Sequence, residues 1–204
     1  PNLASLYMQF GRYLLLSSTR PGALPPNLQG LWTNLVQAPW NSDYHLNINL
    51  QMNHWPSEKG NLSESVQPLT SWVEGLGPSG LQTAQTFYKG RGWVTHVLGN
   101  VWGFTAPGEH PSWGATNTGA AWLCQHLYNH YLYTQDRAYL ERVYPIIKGA
   151  AQFFQSTLVK DPNNGYLVNA PTTSPENQFI APDGSTVAVC AGSTMDNQII
   201  RELF

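Results

Sequence analysis

Helical periodicity recurs along this chain, but alternate connections between the helical segments are long and rich in proline and glycine. Apolar residues at Leu3, Leu6, Tyr7, Phe10, Tyr13 and Leu14 predict a first helix over residues 3–16. Pro21, Gly22, Pro25 and Pro26 end it, and loop follows to about Asn47. A second helix is expected from there, interrupted at Pro56 and Gly60. Residues 62–88 are helical in pattern, with a predicted break at Gly77-Pro78-Ser79-Gly80. Residues 91–118 read as loop. Residues 118–133 and 137–158 form a helical pair joined at Thr134-Gln135-Asp136. Residues 161–192 return to loop, and a last helix starts at Met195. Strand signals are confined to Tyr166-Leu167-Val168 and Thr186-Val187-Ala188-Val189. Long loops inside a compact domain are uncommon unless they have a function. The pattern predicts an all-α fold, an α/α toroid whose loops gather at one end and build a site. The last helix stops at Phe204 without a C-cap and Pro1 starts close to a helix, so residues 1–204 are expected to be a partial domain. Its toroid is expected to be open, with helices that lack partners and expose apolar patches.

Composition narrows the function classes. Net charge is −2 and only 11% of residues are charged, with no basic stripe, so nucleic acid is not expected as a partner. No apolar run approaches the roughly 18 residues of a membrane span. Cys124 and Cys190 make no disulfide framework, and Cys124, in an apolar run, is expected to be a buried thiol. Asn61-Leu62-Ser63 is a glycosylation sequon, meaningful in a eukaryotic secretory setting. Eight Trp and ten Tyr with so little charge suit the binding of neutral, ring-shaped ligands, although at least half of the indoles are expected in the core.

The densest stretch runs from Ala38-Pro39-Trp40 through Asp43-Tyr44-His45-Leu46-Asn47-Ile48-Asn49 to Asn53-His54-Trp55-Pro56. It packs amides, imidazoles and indoles around a single charge, Asp43. Amides hydrogen-bond hydroxyls in both directions, and aromatic faces cover the C–H faces of sugar rings. Asn47, Asn49 and Asn53 point the same way in a period-two segment, and Asn49 and Asn53 share a helical face. The alternative reading is a polar loop that caps a helix.

Most of the twelve carboxylates fit solvated helix faces or turns, and Asp196, three after Ser193, fits a capping box. Glu176 differs. It lies in Pro171-Thr172-Thr173-Ser174-Pro175-Glu176-Asn177, where prolines stiffen the backbone around one acid. A general acid must be held in place and kept protonated, and a rigid uncharged loop serves both needs; a plain turn glutamate is the alternative. His126 and His130 have the i,i+4 spacing of metal ligands, but no acid or third ligand accompanies them, so a packed pair is expected and no metal. No phosphate-binding loop or nucleophile elbow occurs.

Arg20-Pro21-Gly22-Ala23-Leu24-Pro25-Pro26-Asn27-Leu28-Gln29-Gly30-Leu31-Trp32 resembles the opening of the catalytic domain of glycoside hydrolase family 95, the inverting α-L-fucosidases that act on α-1,2-linked fucose. The resemblance continues, in order, through Trp40 and Asp43 to Pro56, Arg91-Gly92-Trp93-Val94, Val101-Trp102-Gly103, Gly119-Ala120-Ala121-Trp122-Leu123, Gly165-Tyr166-Leu167, Ser174-Pro175-Glu176-Asn177 and Thr194-Met195-Asp196. It implies an (α/α)6 barrel, of which this chain is the N-terminal portion. Glu176 matches the general acid. Asn47 and Asn49 match the amide pair that holds and polarises the attacking water, together with an Asp expected beyond Phe204. Inverting enzymes hold their two catalytic groups about 6.5–9.5 Å apart to admit a water. His45 matches the position near the C5 substituent of the sugar, where His goes with fucose and Thr with L-galactose. Trp40, His96, Asn100 and Trp102 match sugar-site positions. Asn100 stands where relatives often carry Asp, and His54 replaces a common Tyr. The resemblance thus implies a glycosidase that releases terminal fucose from glycans without a cofactor, with an isolated fragment that is inactive. An α-L-galactosidase and a catalytically silent sugar-binding module are the alternatives. A substrate of this class suggests a periplasmic or extracellular location.

Overall fold

Among residues 2–204, which the computed structural model describes, helices carry the architecture and the strands are two-residue ribbons. The helices are α1 (Asn2–Ser18), α2 (Asn49–His54), α3 (Pro56–Lys59), α4 (Val66–Tyr88), α5 (Pro111–Gly114), α6 (Gly119–Thr134), α7 (Arg137–Thr157) and α8 (Thr194–Leu203). Helices α4, α6, α7 and α8 pack on one another, and α2 lies against α6. Their shared core includes Leu46, Leu50, Leu69, Val73, Leu76, Leu123, Leu127 and Val143. A second cluster holds Ala84, Val94, Ala121, Phe153, Phe154, Ile199 and Ile200. Removing these side chains from water is the main drive for the bundle.

The α6–α7 pair forms as its sequence predicts. Gln135 takes the left-handed conformation that ends α6, and the Asp136 carboxylate caps α7 by accepting from Tyr139 N–H at 3.1 Å. The predicted break in α4 does not occur, and the helix runs through Pro78. Leu69, Trp72, Val73, Leu76, Gly80, Thr83 and Ala84 form one buried face across it, and that burial outweighs the single backbone hydrogen bond a proline removes. Ser79 Oγ fastens the same turn to Gly103 O at 2.8 Å.

Helix α1 departs from its pattern. Leu3, Leu6, Tyr7, Phe10 and Tyr13 are exposed, and Leu15 and Ser18 are its buried residues. The expectation for tryptophan also fails. Of the eight indoles, Trp72 and Trp93 are buried, whereas Trp32, Trp40, Trp55 and Trp102 are exposed. No helix among the described residues is long and apolar enough to cross a membrane.

Four antiparallel ribbons tie the loops down. Ribbon β1 (Tyr44–His45) pairs with β2 (Leu98–Gly99), β3 (Val159–Lys160) with β4 (Leu167–Val168), β5 (Thr172–Thr173) with β8 (Val189–Cys190), and β6 (Phe179–Ile180) with β7 (Thr186–Val187). The predicted strand at residues 186–189 is therefore split between two ribbons.

Candidate active site

The β1–β2 ribbon sets one wall. Side chains alternate along a strand, so Tyr44 turns inward while His45 faces the cleft. Tyr44 donates to Pro25 O at 2.9 Å and meets Trp72 edge-on. Gly99 lies opposite Tyr44, where a Cβ would come within 3.0 Å of the Trp72 ring. Leu46 N–H donates to Val97 O at 2.7 Å, and the chain then passes through Asn47 into α2, whose first residue is Asn49.

The turn before β1 is unusual. Trp40, Asn41 and Ser42 all have left-handed φ, of 48°, 57° and 51°. Successive non-glycine residues in that region are strained, and such strain persists only where surroundings hold it. Gln29 Nε2 donates to Pro39 O at 3.3 Å and Gln37 Nε2 to Asn41 Oδ1 at 2.9 Å. Leu28 N–H donates to Asp43 O at 3.1 Å, so the 27–30 turn is tied to the same segment.

These pieces surround a cleft of about 720 Å³, a size that suits a small ligand. Trp40, His45, Asn47, Asn49 and Glu176 all line it, although Glu176 lies about 130 residues from the others. Asn47 Oδ1 is buried without a hydrogen-bond partner. Asn49 and Glu176 are exposed. Sequence reasoning missed Gln29, Asp43, Glu109 and Trp113, which line the same cleft. Of these, only Asp43 carried a signal, as the single charge in the densest stretch. Its Oδ1 lies 3.0 Å from His45 Nε2, outside hydrogen-bond geometry. Burial raises the Asp43 pKa, His45 pulls it down, and the neighbouring Glu109 carboxylate raises it further. The cleft thus combines amide and carboxyl groups with flat indole faces. It can hold hydroxyls, stack a ring and donate a proton.

Three residues that the resemblance placed at the sugar do not line this cleft. His96 is fully buried. Thr105 O lies 2.7 Å from its Nδ1, so that nitrogen carries the proton and Nε2 accepts from the Tyr88 hydroxyl at 2.6 Å. Asn100 caps its own loop, with Oδ1 accepting from Trp102 N–H and Phe104 N–H. Trp102, at 90% exposure, projects from that loop. Asn53, one turn further along α2 than Asn49, lines a separate groove between α1 and the 26–32 loop and not this cleft. Each part of the His126/His130 pair has its own tie: His126 Nε2 faces Gln51 O at 3.1 Å, and His130 Nδ1 meets Glu58 Oε1 at 2.7 Å.

Burial lowers the pKa of both His96 and His54 to about 4. A histidine depressed in this way is neutral in the fold and charged in the unfolded chain between pH 6.5 and 4. Its stabilisation is complete above about 6.5 and is lost as pH falls. Each proton taken up on unfolding contributes a slope of about 1.4 kcal/mol per pH unit. The carboxyls of Asp43 and Asp196, both raised, oppose this in the lower part of the window. The urea midpoint of the domain should therefore drop on going from pH 7 to pH 5. A flat midpoint over that range would contradict the assignment.

The whole chain, residues 1–204, matches the family model of the Glycosyl hydrolase family 95 catalytic domain. It is 44% identical over 206 residues to "Alpha-L-fucosidase 2" of Arabidopsis thaliana, an alignment that takes in all of this chain and 24% of that protein. It is 45% identical over 210 residues to "Probable alpha-fucosidase A" of Aspergillus niger, again all of this chain and 26% of the relative. A protein of the same name from Aspergillus oryzae is 42% identical over 125 residues, 58% of this chain and 17% of its own length. The chain thus spans about a quarter of the length of the curated relatives it matches along its whole extent. By a match that covers every residue, the chain belongs to the glycosyl hydrolase family 95 catalytic domains.

Proposed function

We propose that the protein carrying this chain is an inverting exo-α-L-fucosidase that releases terminal α-1,2-linked L-fucose from glycans. The observation that carries this reading is the convergence of Glu176 with Asn47 and Asn49 in one cleft, beside His45 and the Trp40 indole. Glu176 protonates the leaving oxygen. Asn47 and Asn49 hold the attacking water on the opposite side, and Asn47 Oδ1 is already a buried acceptor without a partner. A carboxylate from a segment after Phe204 completes the activation of that water, so residues 1–204 alone are expected to be inactive. Two protons move: Glu176 gives one to the leaving oxygen, and the attacking water gives one up to that carboxylate as its oxygen bonds to C1 and the glycosidic bond breaks. The helices belong to an (α/α)6 toroid, and the location is periplasmic or extracellular, where such glycans are met.

Release of free fucose from a 2′-fucosylated trisaccharide by the full-length protein, followed by NMR, tests this reading. The β-anomer should form first. No fucose, or the α-anomer first, would reject the reading.

His45 accounts for the choice of fucose over L-galactose, which differ by one hydroxyl at C6. An apolar wall rejects an added hydroxyl only weakly, by about a hundredfold. In a protein of full length, His45→Thr should raise the L-galactoside to L-fucoside ratio of kcat/KM, measured with matched aryl glycosides. An unchanged ratio would move the selectivity to another residue of the cleft.

A further inference from the structure

Asp196 is a carboxylate at 0% exposure that the reaction does not use. As the sequence predicts, Ser193 Oγ caps α8 by accepting from Asp196 N–H at 3.1 Å. The carboxylate itself serves a different end. Its Oδ2 accepts from Asn169 Nδ2 at 2.8 Å, and its Oδ1 from Thr118 Oγ1 at 3.5 Å. Asn169 and Asn117 also pair reciprocally, at 2.6 and 3.2 Å. Burial raises the Asp196 pKa, while the surrounding Thr172, Asn169, Ser193 and Thr118 groups pull it back. The Thr172 hydroxyl lies close by without a hydrogen bond of good geometry. A buried polar cluster of this kind fixes geometry because every member is costly to displace.

The cluster sits between the two halves of the cleft. Asn117 and Thr118 lead into α6, whose first residue, Gly119, packs on the other half. A Cβ on Gly119 would lie 2.8 Å from His96 O and 3.3 Å from Leu46 Cβ, one residue before Asn47. On the other side, Asn169 is followed by the fully buried pair Thr172 and Thr173 of β5. Thr173 Oγ1 donates to Ser112 O at 3.1 Å, next to Trp113 of the cleft. Glu176 follows three residues later and is exposed. Its placement therefore depends on the anchoring of β5.

We propose that Asp196 is a positioning residue: with Asn169 and Asn117 it clamps the arm carrying Glu176 to the start of α6, and so sets Glu176 against Asn47 and Asn49. This rests on the reading of Glu176 as the general acid. Misplacement of a catalytic group by about 1 Å costs on the order of a hundredfold. That loss should fall on the step that needs the acid.

The test uses the full-length protein. Asp196→Ala removes both acceptor oxygens, whereas an asparagine amide could turn to accept from Asn169 and donate to Thr118 Oγ1. The alanine variant should lower kcat on a 2′-fucosylated trisaccharide about a hundredfold and on an activated aryl fucoside less than tenfold, with KM within about threefold. Equal losses on both substrates, or no loss, would overturn the proposal. If Asp196→Ala does not fold, Thr118→Val removes the 3.5 Å hydrogen bond to Asp196 together with the 3.4 Å one to Thr116 Oγ1. It should show a smaller loss, about threefold to tenfold, with the same split between substrates, and equal losses would again overturn the proposal. Wild type inactive on both fucosides would reject the fucosidase reading and the anchor with it. An active wild type whose variants lose no split rejects the anchor alone.

Discussion

Replacing Glu176 with glutamine should lower kcat on fucosides whose leaving group is a sugar hydroxyl by about 10²–10⁴-fold, the usual contribution of a general acid. Glutamine preserves the size of the side chain and its place in the cleft but has no proton to give. An alkoxide of a sugar is a poor leaving group, so bond cleavage waits for that proton. A nitrophenolate leaves without it, and an activated aryl fucoside should lose much less. The two substrates measured side by side on wild type and Glu176→Gln decide the matter. Equal and small losses on both would remove Glu176 from the acid role.

Asn49→Ala should cost about 10²–10³-fold in turnover, the scale reported for loss of one preorganised hydrogen-bonding group at a reacting centre. Binding should survive, since the His45 wall and the Trp40 indole remain. Asn49→Asp should be similarly damaged, because it replaces a donor with a further carboxylate in a cleft that already holds Asp43, Glu109 and Glu176. Calorimetric titration of either variant with fucosylated lactose, alongside single-turnover rates, separates the two effects. Collapse of affinity with intact turnover per bound substrate would make Asn49 a binding residue.

Much of the site was legible because its parts are contiguous. Trp40, His45, Asn47 and Asn49 fall within ten residues, and their residue types alone suggest a hydroxyl-reading surface. Glu176 stood out through its prolines, but nothing local said which wall it would face. Glu109, Trp113 and Gln29 were invisible, since they reach the cleft only when three separate loops are folded together. The helices α6 and α7 followed from period and caps. The period also marked α4, but not its continuity, since Pro78 is a local signal and the buried face that overrides it is spread over four turns. His96 misled for a related reason. The motif around it marks a place in the family, but its burial behind Tyr88 and Thr105 depends on contacts that a linear pattern does not contain.

The left-handed run at Trp40, Asn41 and Ser42 has a consequence for attempts to make this protein sturdier. Each of these residues sits where an L side chain costs about 1–2 kcal/mol and glycine very little. A screen for heat resistance would therefore favour glycine at 41 or 42. The same change would free the hinge on which the Trp40 indole is presented to the cleft. Durability and turnover are set against each other at these positions, and variants ranked by melting temperature alone would be enriched in proteins that last longer and do less.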